Sequence, residues 1–298
     1  MTSSLSPGAT DTSMAITGST LLFPVVGHPI AQVKAPMAFN ALFARAGVDA
    51  RVVPLDLSPD TVVDTCRALL ASRSIGGLLV TVPYKKTLFA LLDDPGATAQ
   101  VVGACNAIRR MADGRIAGDL FDGTGFLAGL RAGGHEPAGR RVLVIGAGGA
   151  GSAVAAALAL AGTAWIGLFD PNLDLAAALA ARLQPRFPNC AFVPMRAPDG
   201  AACDIVVNAT PLGMKPGDAL PIDPATLAAG TLVVDVIMQP AVTPLLRLAA
   251  ERGHPTHPGR PMLDHQMPAY LDFFGLPMVA ALAAADLRDR AAADAHAA

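Results

Sequence analysis

Residues 142–169 read VLVIGAGGAGSAVAAALALAGTAWIGLF, and this stretch decides the fold. The apolar, β-branched run at residues 142–145 is typical of a strand that is buried on both faces of a parallel sheet. Gly146, Gly148 and Gly151 follow it as G-x-G-x-x-G and open an alanine-rich helix. In such a loop the glycines permit a tight turn, the close approach of a pyrophosphate, and packing of the helix on the strand. We therefore predict a dinucleotide-binding βαβ unit.

Two features locate the predicted cofactor. The backbone N–H groups at the start of the helix have no partner within the helix, so they can bind the pyrophosphate. The loop residues expected there are Gly146, Gly148, Gly149, Ala150 and Gly151. Asp170 follows the second apolar run, where a carboxylate binds the ribose of a dinucleotide.

Two other interpretations of this stretch remain open. It contains no charged residue, and on hydropathy alone an uncharged run of this length is compatible with a membrane span. Its internal glycines and its division into two short strand-like runs argue against a span. The second alternative is a glycine-rich turn in an ordinary α/β sheet that binds no dinucleotide.

Length and composition limit the class of protein. The 298 residues have room for two domains, and 52% apolar with 15% charged residues excludes a largely disordered chain. A net charge of −2 provides no basic field for nucleic acid or an anionic membrane. The four cysteines form no C-x-x-C pair and the six histidines no metal-like cluster. We therefore expect buried thiols in a reducing cytosol and no metal.

Strand-like and helix-like segments alternate along the chain, which predicts an α/β fold with a mostly parallel sheet before the glycine loop and a doubly wound unit after it. Strands are predicted at residues 20–26, 51–57, 78–82, 142–145, 203–208 and 231–236, with one more ending at residue 169. Helices are predicted at residues 36–46, 60–71, 122–132, 174–183 and 244–252.

The remaining segments carry weaker signals. Asp113-Gly114 predicts a hairpin between residues 103–109 and 115–118. The tail from residue 262 looks helical, with Pro268 and Pro277 as interruptions, and residues 286–298 are expected to form a solvated end. Residues 1–18 lack a basic start and an apolar core, so we interpret them as a disordered lead-in rather than a secretory signal.

Five short motifs occur in the rest of the sequence. They are VTVPYK at residues 80–85, GACNA at 103–107, FDGTGF at 121–126, NATPLGM at 208–214 and MLDHQ at 262–266. Together with the glycine loop they resemble, in the same order, the signatures of the shikimate dehydrogenase family, which includes quinate and aminoshikimate dehydrogenases. The resemblance covers about residues 20–275.

The resemblance implies a substrate-binding catalytic domain at residues 19–132, an NAD-binding Rossmann domain at 133–258, and C-terminal helices at 259–298 that return to the first domain across a cleft. It also implies reversible hydride transfer between a nicotinamide cofactor and a small cyclic alcohol or ketone, with shikimate or quinate as the default substrate. We expect a cytoplasmic monomer or homodimer with no nucleic-acid or membrane partner.

The resemblance assigns the proton transfer to Lys85 and Asp122. A lysine beside a carboxylate can donate to a developing alkoxide while the carboxylate orients and charges it. Sequence spacing alone does not pair these two residues. Lys85, which precedes Lys86, could instead belong to a solvated loop, and Asp122 could cap the helix that follows it.

The resemblance also assigns the remaining polar contacts. Thr81, Asn106 and Gln266 match positions that hydrogen-bond substrate hydroxyls. Asn208, Thr210 and Met214 match positions on the nicotinamide side of the cleft.

The chain departs from the family at the substrate carboxylate. Two serines and a tyrosine that bind this group in the family align with Val33, Ala35 and Met238. Leu79, Leu120 and Phe121 replace further polar residues. These changes predict a more apolar pocket in which shikimate is a poor substrate, unless Lys34 or Gln32 seats the carboxylate differently.

Asp170 also bears on the choice of cofactor. Family members that use NADP typically carry an Asn-Arg-Thr-like segment after the second Rossmann strand, whereas this chain has Asp170-Pro171-Asn172. A carboxylate there repels a 2′-phosphate, so we predict NAD, with NADP less favoured. The alternative to an enzyme is a catalytically silent nucleotide-binding regulatory protein of the same fold.

Overall fold

The structure of the chain is a computed structural model that describes residues 15–297, with side chains described for residues 15–289. Two six-stranded sheets organise the fold. Of the disordered lead-in predicted at residues 1–18, residues 1–14 lie outside the described part of the chain. Its last part differs from the prediction, because the Thr17 hydroxyl donates a hydrogen bond of 2.8 Å to the Asp49 carboxylate.

The first sheet mixes parallel and antiparallel strands. Its strands are β1 (Leu21–Gly27), β2 (Ala50–Asp56), β3 (Leu78–Val80), β4 (Asp94–Pro95), β5 (Ala107–Arg110) and β6 (Ile116–Asp119). They lie in the order β2-β1-β3-β5-β6-β4, and β1 pairs in parallel with β2 and β3. β5 pairs antiparallel with β3 and β6, so the hairpin predicted at Asp113-Gly114 is confirmed.

Four helices accompany this sheet: α1 (Ala35–Ala46), α2 (Val62–Ala71), α3 (Ala97–Val102) and α4 (Asp122–Ala132). Pro36 lies in the first turn of α1, where a missing N–H has no consequence, and Gly47 ends the helix with a φ of 64°. The buried face of α1 carries Phe43, whose ring centroid lies 6.0 Å from that of Phe23 in β1. This aromatic contact fixes α1 on the sheet.

The second sheet is parallel throughout. Its elements are β7 (Arg141–Ile145), α5 (Gly149–Leu160), β8 (Trp165–Phe169), α6 (Leu173–Leu183), β9 (Ala191–Met195), β10 (Ile205–Asn208), β11 (Leu232–Asp235), α7 (Pro244–Glu251) and β12 (Thr256–His257). The strand order is β12-β11-β10-β7-β8-β9. The order reverses at β7, and in such sheets ligands bind at the carboxyl ends of the strands beside that reversal.

Two C-terminal helices, α8 (Arg260–Phe273) and α9 (Pro277–Ala297), return to the first sheet. Phe274, which follows α8, packs on Phe23 of β1 with ring centroids 5.0 Å apart. Arg45 of α1 and Asp286 of α9 form an ion pair of 2.6 Å. The predicted return of the C-terminal helices is therefore confirmed, together with the α/β fold class.

The helix α4 makes backbone-to-backbone contacts on two sides. A Cβ atom on Gly125 would lie 2.3 Å from the backbone oxygen of Met262 in α8. A Cβ atom on Gly123 would lie 2.5 Å from the backbone oxygen of Ala153 in α5. Only glycine fits at these two positions, and its absence of a side chain lets α4 connect the two halves of the molecule.

Several elements differ from the sequence prediction. α3, β4, β9 and β12 were not predicted, and Pro268 lies inside α8 instead of interrupting it. A proline removes one hydrogen bond from a helix, but α8 is held along its length by packing on α4 and α9. The predicted solvated end begins at Asp286, yet α9 continues through residue 297 and Asp286 is paired with Arg45.

The bounds 19–132, 133–258 and 259–298 stay a prediction, although each six-stranded sheet falls within one of the first two ranges. In the part of the chain that the structure describes, no helix is long and apolar enough to cross a membrane.

Candidate active site

Lys85 and Asp122, which are 37 residues apart, meet as an ion pair in the structure. Lys85 lies in the turns that follow β3, and Asp122 is the first residue of α4. The Lys85 Nζ atom donates to Asp122 Oδ2, and the side chains are only 17% and 6% exposed. A pair this buried is shielded from water, which strengthens the attraction between its charges. Lys85 is therefore not a solvated loop residue.

Asn106 fixes the other carboxylate oxygen. Its Nδ2 atom donates to Asp122 Oδ1 at 3.0 Å, and its Oδ1 atom accepts from the Phe121 N–H at 2.9 Å. Asn106 is fully buried and is not among the residues that line the cavity described below. The described contacts of Asn106 thus orient Asp122, and its predicted contact with substrate stays a prediction. Asp122 makes no capping bond to its own helix, so the helix-cap interpretation is wrong.

A cavity of about 350 Å³ borders the Lys85–Asp122 pair. Eight residues that the sequence predicted for the site line it: Val33, Ala35, Thr81, Lys85, Asp122, Met214, Met238 and Gln266. They come from the loop before α1 and the first residue of α1, the segment that follows β3, the helices α4 and α8, and the loops that follow β10 and β11. The cavity therefore draws on both halves of the molecule. A cavity of about 450 Å³ lies beside Arg140 and Asp204, at the opposite ends of the parallel strands.

Polar and apolar side chains both line the 350 Å³ cavity. Gln266 on α8 is 6% exposed, and its Oε1 atom has no hydrogen-bond partner among the described residues. A buried oxygen of this kind calls for a ligand donor. The wall formed by Val33, Ala35 and Met238 offers no hydroxyl, as predicted. Gln32 and Lys34 also line the cavity, and Gln32 Nε2 donates to the backbone oxygen of Pro29 at 2.7 Å.

The glycine loop lies at the carboxyl end of β7. Gly146 has a φ of 104°, and a Cβ atom on Gly151 would lie 1.8 Å from the backbone oxygen of Gly146. No side chain caps α5, so the N–H groups of its first turn are open to an anionic ligand. A Cβ atom on Gly149 would lie 3.9 Å from Lys85 Cδ. The loop is therefore adjacent to the Lys85–Asp122 pair, and its geometry fits a dinucleotide.

Asp170 ties this loop to the turn after β8. Its Oδ2 atom accepts from the Ala147 N–H and its Oδ1 atom from the Asn172 N–H, each at 2.9 Å. The carboxylate is thus held at the edge of the loop, where the ribose of a dinucleotide is expected.

Asn208 and Thr210 shape a loop but do not line the cavity. Asn208 Nδ2 donates to Asp235 Oδ2 at 3.2 Å, and Thr210 Oγ1 donates to Asn208 Oδ1 at 2.7 Å. Burial raises the pKa of Asp235, which also accepts from the hydroxyl of Thr243 at 2.8 Å. Of the three residues predicted on the nicotinamide side, only Met214 reaches the cavity.

Sequence reasoning missed two aromatic residues of the cavity, Phe39 and Tyr270. A signal for Tyr270 was present, because it follows Gln266 by four residues and therefore shares its helix face. Phe39 lies within the helix predicted at residues 36–46, and no motif related it to the site.

Comparisons with known proteins cover most of the chain. The family model described as the shikimate dehydrogenase substrate binding domain matches residues 25–108. A shikimate dehydrogenase (NADP(+)) from Rubrobacter xylanophilus is 38% identical over 256 residues, which are 84% of this chain and 89% of the relative.

Solved structures agree with these matches. Shikimate 5-dehydrogenase from Listeria monocytogenes, in complex with shikimate and NAD, has a TM-score of 0.79 at 28% identity and covers 87% of this chain and 93% of its own. The ligand-free 5-ketofructose reductase of Gluconobacter sp. strain CHM43 has a TM-score of 0.78 at 29% identity, covering 92% and 99%.

The fold and the site therefore define an oxidoreductase that uses a nicotinamide cofactor and acts on CH–OH groups. The extent of the sequence match makes the assignment narrower. The chain belongs to the shikimate dehydrogenase family, as its motifs predicted.

Proposed function

We propose that the protein is a dehydrogenase that interconverts a ring alcohol and its ketone, with Lys85 and Asp122 as the groups that move the proton. The observation that carries this proposal is the buried Lys85–Asp122 pair, which borders a cavity and lies next to the glycine loop. A silent regulatory protein has no need of a paired acid and base, so this pair also argues against the regulatory alternative.

The charges of the Lys85–Asp122 pair determine how the proton is transferred in each direction. A nicotinamide dinucleotide bound at the glycine loop supplies the hydride in reduction and accepts it in oxidation. In reduction, the Lys85 ammonium donates a proton to the oxygen as the carbonyl carbon gains the hydride. In oxidation, Lys85 in its neutral amine form takes the proton from the hydroxyl as the carbon loses the hydride, and Asp122 stabilises the ammonium that forms. Asn106 holds the carboxylate in place during both directions.

For the cofactor, we propose NAD in preference to NADP. Support comes from Asp170, whose carboxylate sits at the edge of the glycine loop and would face a 2′-phosphate with like charge. The relative from Rubrobacter xylanophilus is named for NADP(+), whereas the structure from Listeria monocytogenes contains NAD. Both cofactors therefore occur among similar proteins, and the names of the curated relatives favour NADP. The charge at Asp170 is the observation that favours NAD here.

For the substrate, we propose a ring compound that keeps hydroxyl groups but carries a neutral or apolar group where shikimate and quinate carry a carboxylate. Thr81 and Gln266 remain available for hydroxyls, while Val33, Ala35 and Met238 present an apolar wall. The similar protein from Gluconobacter is named for the reduction of 5-ketofructose, a sugar that has no carboxylate. A scaffold of this kind can thus serve a neutral substrate.

The test is to measure NADH or NADPH formation by the purified protein with shikimate, quinate and a series of neutral cyclic alcohols. Lys85→Ala and Asp122→Asn should each lower kcat by about 10²- to 10⁴-fold on the best substrate. The affinity for NAD should change little, because the glycine loop and Asp170, where the cofactor is expected, lie on the other half of the molecule. If either variant keeps parental kcat, the role assigned to that residue is wrong.

A further inference from the structure

Tyr270 brings a phenol into the cavity that contains Lys85 and Asp122. It lies on α8, about one turn after Gln266, so both side chains approach the cavity from the same helix face. Tyr270 is 6% exposed, and no motif of the family resemblance includes it.

Three aromatic side chains fix the ring of Tyr270. The ring meets Phe39 of α1 edge-on at a centroid distance of 6.0 Å, and Phe121 edge-on at 5.3 Å. Phe274 stacks on it at 6.1 Å. Contacts of these types stabilise aromatic pairs. The position of the phenol is therefore set by the protein before any ligand binds.

The hydroxyl of Tyr270, in contrast, has no hydrogen-bond partner in the part of the chain with described side chains. The other tyrosine of the chain, Tyr84, donates to the backbone oxygen of Leu57. Tyrosine hydroxyls inside proteins are normally bonded in this way. The Tyr270 oxygen is not among the fully buried atoms that lack a partner, so it is reachable from the cavity, where an atom of a ligand can bond it.

The charge state of this phenol limits the kind of partner. Burial, followed by the negative charge of Asp122, holds the pKa of Tyr270 well above its usual value. The hydroxyl therefore stays neutral at working pH, where it can both donate and accept. Such a group pairs well with a neutral substrate oxygen.

We propose that the Tyr270 hydroxyl binds a neutral oxygen of the substrate ring, and that it supplies polar recognition from α8 in place of the hydroxyls absent at Val33, Ala35 and Met238. This proposal rests on the dehydrogenase function proposed above and names one more specificity-determining residue for it.

The test compares the parent with Tyr270→Phe, which removes one oxygen and keeps the ring contacts. The probes are shikimate, its methyl ester, cyclohexane-1,2-diol and cyclohexanol, each assayed with NAD and with NADP. For the probes with more than one hydroxyl group on the ring, kcat/KM should fall about 5- to 30-fold, mainly because KM rises, as expected for one lost hydrogen bond. For cyclohexanol, which has no second oxygen to bind, it should not fall. The KM for the cofactor and the Tm should stay at the parental values.

Tyr84→Phe is the matched control, because it deletes the other phenolic oxygen, whose bond is internal to the protein. It should lower the Tm and leave the ratio of kcat/KM between diol and cyclohexanol unchanged. An unchanged ratio in Tyr270→Phe overturns the proposal, as does a general loss equal for all probes.

Failure of the proposed function has a different signature, namely no hydride transfer by the parent with any probe and either cofactor. In that case the same probes are titrated by calorimetry into the NAD-saturated protein. Weaker binding of shikimate methyl ester and the diol to Tyr270→Phe supports the Tyr270 assignment. Equal binding to both proteins, or binding to neither, overturns it.

Discussion

Gly125→Ala tests whether the contact between α4 and α8 sets the geometry of the site. The added Cβ atom would lie 2.3 Å from the backbone oxygen of Met262 and 2.7 Å from the Cβ atom of Gln266. Since the closest contact is with a backbone oxygen, no change of side-chain rotamer relieves it. A carbon and an oxygen approach no closer than roughly 3.3 Å in ordinary contacts, so α8 must move by about 1 Å.

The size of the effect follows from this displacement. Overpacking of this kind destabilises a protein by about 1–3 kcal/mol, partly offset by about 1 kcal/mol because alanine favours a helix over glycine. At about 2–4 °C per kcal/mol, the Tm should fall by a few degrees. The activity should fall more, because Asp122 lies on α4 and Gln266 on α8. A misplacement of about 1 Å between such groups can lower kcat/KM about 10²-fold.

The assay is a thermal unfolding scan together with kcat/KM on the best alcohol found in the substrate series. Thr124→Ala is the matched control, because Thr124 is an exposed residue of the same helix turn. That variant should keep both parental values. Parental Tm and kcat/KM in Gly125→Ala would refute the idea that the close approach of the two helices positions the site.

Three further predictions concern cofactor, substrate and pH. The kcat/KM with NAD should exceed that with NADP, and Asp170→Ser should narrow the difference; equal or higher values with NADP in the parent would contradict the role of this charge. The kcat/KM of the parent for shikimate should be on the order of 10³-fold below that for an efficient substrate, because three hydroxyl donors are absent. The triple variant Val33→Ser, Ala35→Ser, Met238→Tyr should raise this kcat/KM. Efficient use of shikimate by the parent, with no gain in the variant, would show that those hydroxyls are not needed. Burial, followed by the charges of neighbouring histidines, lowers the pKa of His257 to about 4. The folded state therefore binds fewer protons than the unfolded state between about pH 4 and 6.5, and its stability should decline as the pH falls through that range. His257→Asn should flatten this part of a plot of Tm against pH.

The sequence predicted the second sheet well because its signals are local. A β-branched run, a glycine loop and an alanine-rich helix each determine structure within a few residues. β9 was not predicted; its sequence AFVPM contains Pro194, just as the predicted strands β1 and β2 contain Pro24 and Pro54. Proline is tolerated there because β9 lies at the edge of the sheet, where an N–H can be absent without breaking the ladder. Whether a strand lies at the edge depends on the whole sheet, so it cannot be predicted from the residues of that strand alone.

The site shows the same division between local and long-range information. Lys85 and Asp122 were identified through motifs, but their contact depends on how α4 packs beside the turn after β3. Asn106 was expected at the substrate; in the fold its amide donates to Asp122, which no motif indicated, and its contact with substrate stays a prediction. For Tyr270, the absence of a hydroxyl partner depends on three elements that meet only in the folded chain, so no sequence pattern could reveal it.

The backbone-to-backbone contacts of α4 at Gly123 and Gly125 have a consequence for motion. Because backbone touches backbone on both sides of α4, no side chain there can change rotamer to absorb a movement. These contacts hold α5, α4 and α8 together, so we expect any opening of the cleft to leave the three helices fixed relative to one another. Asp122 is the first residue of α4, whereas Met214 and Met238 lie on loops of the cavity and are 50% and 40% exposed. We therefore expect such an opening to displace the Asp122 carboxylate less than the two methionines.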